Sequence, residues 1–415
     1  MAPQELSLVR DRVEDDLRES IRASAFCRDL LDHARQLSDT PTPFTIYSLD
    51  RVRQNVTALR SAMGSDARLH FAVKALYLTP VLAAIAGQVD AFDVQSLWEA
   101  SFVPGGPPLA FHSPWLDERI FDLPTLGQVC VNSVAQFEAL AARRPELPWG
   151  PRISLPRCVN GQFIHEDDKF GVASEALVAL LERTKEAGAG GQPCSFIHHH
   201  THSRLGDPES AARVSSVFVE HVSSIEARVR STIPALNLGG GIDGRLQLHL
   251  REQSLNAIVE AIVAPIREQM PGRELVLEFG RVAVEDSAVA VGTISEVRTS
   301  SKRDWAVVDL DTGFLIPLEA ARFKFVVLDA EPGPVREVAL VDGTCSPKGL
   351  IARQWTDAIL RPGTRVAVLN VGGYTYSCAG PFHSPPPPVW VVDAGESRCA
   401  VARETMMEGC RALVG

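Results

Sequence analysis

"LHFAVKA", residues 69–75, decides how this chain is read. Its apolar and aromatic residues describe a buried strand, yet Lys74 sits at its end. A lysine is almost never fully buried unless it is paired or chemically used. On the strand alone Lys74 has two readings. It is a charge that snorkels to solvent or pairs with a carboxylate, or it is an amine placed to form a Schiff base.

Working outward, seven more apolar runs follow: "DAFDVQS" (90–96), "LAFHS" (109–113), "QVCVNS" (128–133), "RISL" (152–155), "CSFIHHHT" (194–201), "ALNLGGG" (235–241) and "LVLEFG" (275–280). Helical segments such as "SEALVALLERTKEAG" and "LNAIVEAIVAPIREQM" separate several of them. This alternation predicts parallel strands with crossover helices, and eight units predict an α/β fold, a (β/α)8 TIM-type barrel. Such barrels carry their chemistry at the C-terminal ends of the strands. Here those ends hold Lys74, Ser96, His112, Asn132, His200, Ser203, Gly239–Gly241 and Glu278. Glycines after a seventh strand let backbone N–H groups approach an anion closely, and barrel phosphate sites often lie there. Glu278 is either an ordinary salt-bridge partner, for instance of Arg281, or a carboxylate that keeps a pyridine nitrogen protonated.

After about residue 285 short strands follow one another with few helices, which predicts a C-terminal antiparallel β-domain. The expected layout is an N-terminal helical segment (1–42), a barrel (43–284) and the β-domain (285–415), with the strand near 44–48 free to join the latter. The proline-rich "HSPPPPVW" (383–390) predicts a rigid loop. The 415 residues are 45% hydrophobic and 22% charged with net charge −10, ordinary for a globular protein and unsuited to general nucleic-acid binding. No apolar run is long enough for a membrane span, and the opening residues are too charged for a signal peptide. Eight scattered cysteines with no C-x-x-C pair are expected to be reduced thiols in a cytoplasmic protein.

Taken together, these motifs resemble the pyridoxal-phosphate decarboxylases of the ornithine/diaminopimelate type, fold type III, with their alanine-racemase-like barrel. "FAVKAL" is similar to the family's "YAVKAN", "AFDVQSLWE" to "GFDVASxGE", and "HTHS" (200–203) to "HxGS". "GGGI" is similar to "GGGF", "EFGR" to "EPGR", "DKFG" (168–171) to "SKFG", "GTC" (343–345) to "GxxC", and "GGYT" (372–375) to "GAYT". The similarity runs from about residue 43 to about 392, in family order.

The resemblance implies roles. Lys74 carries pyridoxal 5'-phosphate and moves protons, His200 stacks on its ring, and Glu278 pairs with the ring nitrogen. Ser203, Gly240, Gly241, Arg281 and Tyr374 hold its phosphate. Cys345 is the acid that protonates the carbanion once CO2 has left, a task a thiol can perform near neutral pH. A homodimer with shared active sites is implied as well. The run "HHHTH" (198–202) also admits a metal, since His198, His200 and His202 fall on one face of a strand. The resemblance gives His200 to the cofactor instead, so no metal is expected, and His202 replaces a family glycine.

Departures bear on the substrate. The acid that reads a distal ammonium in diamine-forming relatives becomes Gly349, a second acid aligns with Thr312, and Ser346 replaces a glutamate. A desolvated ammonium without a counter-charge is costly. Plain ornithine, lysine or diaminopimelate is therefore not the expected substrate. Lys348 and Arg204 are candidate substrate contacts for an anionic group, as in an acylated, citryl-linked or carrier-tethered amino acid. Leu76 and Phe279 replace a family asparagine and proline, which points to a specialised pathway such as siderophore or other secondary-metabolite synthesis. The alternatives are an amino-acid racemase or epimerase, and a non-catalytic homologue that binds the cofactor.

Overall fold

A computed structural model describes residues 3–155, 157–159, 162–164, 169–185, 193–200, 204–315 and 323–414. The chain forms two compact units, Arg53–Ala283 and the pair of segments Met1–Val52 and Val284–Gly415.

In the first unit, eight parallel strands among the described residues make one sheet: Ala67–Ala72, Ala91–Val94, Leu109–His112, Leu126–Val131, Trp149–Pro151, Phe196–His198, Ala235–Asn237 and Glu274–Phe279. Strand eight pairs with strand one, from Leu275 opposite Ala67 to Phe279 opposite Phe71. Strands five and six meet through Ser195 N to Trp149 O (2.8 Å) and Ile153 N to His198 O (2.7 Å), so the sheet curls into the expected barrel. Strand five itself ends at Pro151, ahead of the expected "RISL" run. Arg152 and Ile153 continue it only as single bridges, to His198 and Val172. Phe71 and Phe92, both buried, pack edge-on with ring centroids 6.2 Å apart.

The strand ends feed helices by side-chain capping. Ser96 accepts from Glu99 N while Glu99 Oε2 accepts from Gln95 N (3.2 and 2.8 Å), and Ser133 and Gln136 repeat the arrangement after strand four (3.2 and 2.7 Å). In both, the N-cap serine satisfies an orphaned helix N–H while the N3 side chain reaches back to the residue before the cap. Ser96, a strand-end residue with a conceivable chemical role, is thereby committed to structure.

In the second unit the sheet is mixed. Phe44–Ser48 pairs antiparallel with Ala288–Thr299 and parallel with Val389–Asp393, and Asp304–Val308 pairs parallel with Pro332–Asp342. The remaining pairs are antiparallel. The proline-rich loop delivers the strand Val389–Asp393: Pro388 O accepts from Thr45 N (2.9 Å), and Ser384 N and Oγ donate to Asp311. Two helices, Pro3–Phe26 and Arg28–Gln36, precede this sheet. Lys324 pairs with Asp16 and with Glu19 (2.9 Å), and Asp16 also accepts from Trp355 N, so the first helix is tied to strand Leu350–Ala358 by charge as well as packing. No helix among the described residues is long and apolar enough to cross a membrane.

Candidate active site

At the C-terminal ends of the barrel strands lies a cavity of about 280 Å³, and Lys74, His200 and Glu278 all line it. Lys74 sits in a single helical turn, Val73–Ala75, directly after strand one, and is half-buried. Its neighbour Leu76, where relatives carry asparagine, is fully buried, as is Phe279 after Glu278. Both departures are core residues. Gly280 lets these two strand ends meet, since a Cβ there would come 2.8 Å from the Ala75 Cβ.

Glu278 is 5 % exposed and ringed by imidazoles. His112 Nδ1 lies 3.0 Å from its Oε1, His198 Nε2 3.3 Å from the same atom, and His200 Nδ1 3.9 Å from Oε2. The amide of Asn237 donates to Oε1 (2.8 Å) while its own oxygen accepts from Gly239 N (2.9 Å), which couples the carboxylate to the glycine turn. Burial alone would raise the pKa of Glu278, but the three histidines outweigh it and hold the group well below the usual carboxylate range. Burial pushes His112 down to about 4 against the pull of Glu278, and His198 and His200 shift down from the same cause. The site at neutral pH therefore holds a carboxylate anion among neutral rings. Among the described residues no lysine or arginine is in ion-pair contact with it.

Asp93 lines the same cavity and is held by His70 Nδ1 (3.0 Å); burial and then the Glu278 charge raise its pKa. Asp93 Oδ2, His112 Nε2 and His198 Nδ1 have no hydrogen-bond partner among the described residues. Buried polar atoms are rarely left so, and these mark a cavity shaped for a polar ligand.

The glycine turn has its own constraints. Gly239 is left-handed at φ +63°, and a Cβ there would lie 2.6 Å from His200 Nδ1. A Cβ on Gly240 would overlap the Glu278 carbonyl, and Gly240 N lies 3.3 Å from His200 Nδ1. Gly241 is left-handed at φ +116°. Arg281 opens the short helix after strand eight. Arg204 pairs with Asp243 (3.4 Å) and is not among the cavity-lining residues. Ser203 and His202 lie outside the described residues. His199 points away from the cavity, stacked against Phe218 at 6.3 Å, as strand alternation requires.

Cys345, Lys348, Thr312 and Tyr374 belong to the second unit. Cys345 is exposed in the turn between strands Pro332–Asp342 and Leu350–Ala358. That turn is organised by Asp342, which accepts from Thr344 N and Oγ1 (3.1 and 2.8 Å) and from Thr312 N and Oγ1 (3.1 and 2.5 Å). Tyr374 is left-handed at φ +58°, beside Gly372, whose Cβ would overlap the Val284 carbonyl. A tyrosine so held costs on the order of 1 kcal/mol or more, which the surrounding structure must impose.

A parallel barrel with a strand-end lysine, a glycine turn and a buried carboxylate lacking a permanent cation defines the class of barrel enzymes that bind pyridoxal phosphate. The residues fit that group: a protonated pyridine nitrogen would supply the cation that Glu278 lacks among the described residues, and Lys74 would supply the amine.

Comparison with known proteins agrees. The chain is 28% identical over 410 residues to diaminopimelate decarboxylase of Mycobacterium tuberculosis, covering 88% of this chain and 89% of that one. It is 22% identical over 352 residues to the lysine/ornithine decarboxylase of Selenomonas ruminantium, covering 83% and 87%. The solved diaminopimelate decarboxylase of M. jannaschi shares the fold with a TM-score of 0.78 at 17% identity, covering 90% of this chain and 92% of that one. No protein-family model matches. The chain is thus similar, at low identity and over most of its length, to the fold type III, pyridoxal-phosphate-dependent amino-acid decarboxylases.

The sequence assigned no role to Asp93, Asn237 or Arg152, and His198 entered it only as a metal candidate; all four surround or line the cavity. Their one shared signal is a polar residue at or near the end of a barrel strand.

Proposed function

We propose that this protein removes the α-carboxylate of an amino acid whose distal end carries no free ammonium, in a specialised biosynthetic route and as a homodimer. The observation that supports this reading best is the convergence of Lys74, His200 and Glu278 on one cavity, with Glu278 buried as an anion.

When bound, pyridoxal phosphate supplies an electron sink for the bond broken at Cα. The chain's residues do the rest. The Lys74 amine anchors the cofactor's aldehyde and later carries a proton. Glu278 keeps the ring nitrogen protonated, and its own charge state is secured by His112, His198 and Asn237. His200, whose Nδ1 accepts from Gly240 N, would stack on the ring, and Gly240, Gly241, Ser203, Arg281 and Tyr374 would hold the phosphate. The Cys345 thiol delivers the closing proton to carbon. Thr312 and Gly349 support the substrate reading. The nearby carboxylate, Asp342, already accepts four hydrogen bonds from threonines and so has little left for a ligand ammonium.

The test is direct. The purified chain is loaded with pyridoxal phosphate and offered a panel of amino acids and acylated derivatives while CO2 is measured. The absorbance band of lysine-linked cofactor appears in the wild type and is absent from Lys74→Ala. A band that survives in Lys74→Ala overturns the site, and exchange of the Cα hydrogen without CO2 release overturns the reaction.

A further inference from the structure

The second unit has a cavity of its own, about 520 Å³, outside the site already described. One wall is the helices Pro3–Phe26 and Arg28–Gln36; the other includes the strands Phe325–Val327 and Leu350–Ala358. Among the described residues each of these strands has one neighbour, Arg365–Leu369 and Pro332–Asp342 respectively, so two sheet edges line the same space.

At one end side chains stand in for a missing strand. The buried Gln354 amide accepts from Phe325 N (2.9 Å) and donates to Phe325 O (2.8 Å), as a peptide group would. Beside it the Asp16 carboxylate accepts from Trp355 N. Phe325 and Trp355 thus turn their backbone groups away from their paired strands. Those groups alternate in direction along a strand, so Val327 and Asp357, two residues further on, turn theirs the same way. Both residues line the cavity, and among the described residues no strand meets them. An edge left open in this way is a template for an added strand.

Arg35 is engaged by Asp32 (2.8 Å) and by Leu328 O (3.0 Å). Arg28 on the helix wall and Asp357 on the strand wall are exposed and have no hydrogen bond or ion pair among the described residues. Leu17, Leu31, Val327 and Ala330 give the lining an apolar part.

We propose that this cavity binds a short peptide with free ends, extended between the two edges, its carboxylate on Arg28 and its ammonium on Asp357. Successive amides of an extended chain point to opposite sides, so they reach Val327 on one edge and Asp357 on the other. The site does not depend on the reaction in the barrel.

Wild type, Arg28→Gln and Asp357→Asn, each loaded with pyridoxal phosphate, are titrated calorimetrically with trialanine, with its N-acetylated and C-amidated forms, and with alanine. Both substituted side chains are exposed, so the fold is retained. Trialanine is expected to bind the wild type and to weaken by about tenfold or more in either variant. Acetylation should cost as much in the wild type and nothing further in Asp357→Asn, and amidation should behave the same way against Arg28→Gln. Methylation of the central amide nitrogen should also weaken binding, since it removes a donor to an edge. The absorbance band of lysine-linked cofactor should stay unchanged. No binding of trialanine to the wild type, equal affinity in the variants, indifference to methylation, or equal affinity for alanine overturns the site. So does a shift of the cofactor band, which would place the peptide at Lys74.

Discussion

The Asp342 carboxylate fills the space that any side chain at residue 349 would need: a Cβ built on Gly349 overlaps Asp342 Oδ1. The glycine at this position therefore does more than omit an acid. It makes room for one from the opposite strand, which then gathers Thr312 and Thr344 around the turn that bears Cys345. Gly349→Ala is expected to destabilise the protein by about 1–3 kcal/mol, read from denaturant unfolding. Adding Asp342→Gly should recover part of that loss. Additive losses in the double variant would show that the two positions do not share this space.

Stability should fall with acid in a defined window. His112, with its pKa depressed to about 4, and His198 and His200, shifted the same way, are buried neutral. Below about pH 6.5 the unfolded chain takes up protons that the folded site refuses, so stability is complete above that value and declines toward pH 4. The slope is about 1.4 kcal/mol per pH unit for each such histidine. The depressed pKa of Glu278 acts with the same sign further down, its contribution present above the unfolded value and lost as pH falls through the folded one. Melting temperature against pH measures this, and His112→Gln should flatten the curve.

Glu278→Gln replaces an anion with an amide among the same rings. Binding of the cofactor should survive, with an altered absorbance band. CO2 release on the responsive amino acid should fall by about 100-fold or more, because the ring nitrogen loses the charge that keeps it protonated. Full activity in this variant would remove Glu278 from the chemistry.

The barrel was legible from short-range signals. Eight apolar runs at helical separations dictate parallel strands, and Lys74, His200 and Glu278 are visible at their ends because strand ends are where a barrel's polar residues gather. The environment of Glu278 was not legible. His112, His198 and Asn237 come from strands three, six and seven, and nothing local in the chain says that their side chains meet. Strand five illustrates the same limit: "RISL" has a strand-like pattern, yet the pairing falls on Trp149–Pro151, because register with the neighbouring strands decides it. The Asp342–Gly349 relation was hidden for a further reason. A missing side chain is read from sequence as an absence, whereas the fold uses it as space.

Removing the amide at Asn132 tests how the cavity's cations are held. Asn132→Ala loses both bonds to the Lys169–Gly171 segment, a stability cost of about 1–3 kcal/mol. The segment bearing Lys169 is then held by the Val172–Arg152 backbone bond without the amide, so KM on the responsive amino acid should rise more than kcat falls. Equal losses in both would assign Asn132 to the framework alone.

That clip also bears on how such a protein diversifies. Lys74, His200 and Glu278 stand on or directly beside barrel strands, where Glu278 is committed to His112, His198 and Asn237 and His200 to Gly240. Lys169 and Phe170 stand on a short segment fastened by one amide and one backbone bond. A change in that segment alters the lining of the cavity while the barrel strands stay untouched, so the cavity's charge can be rewritten without disturbing the residues set on the strands.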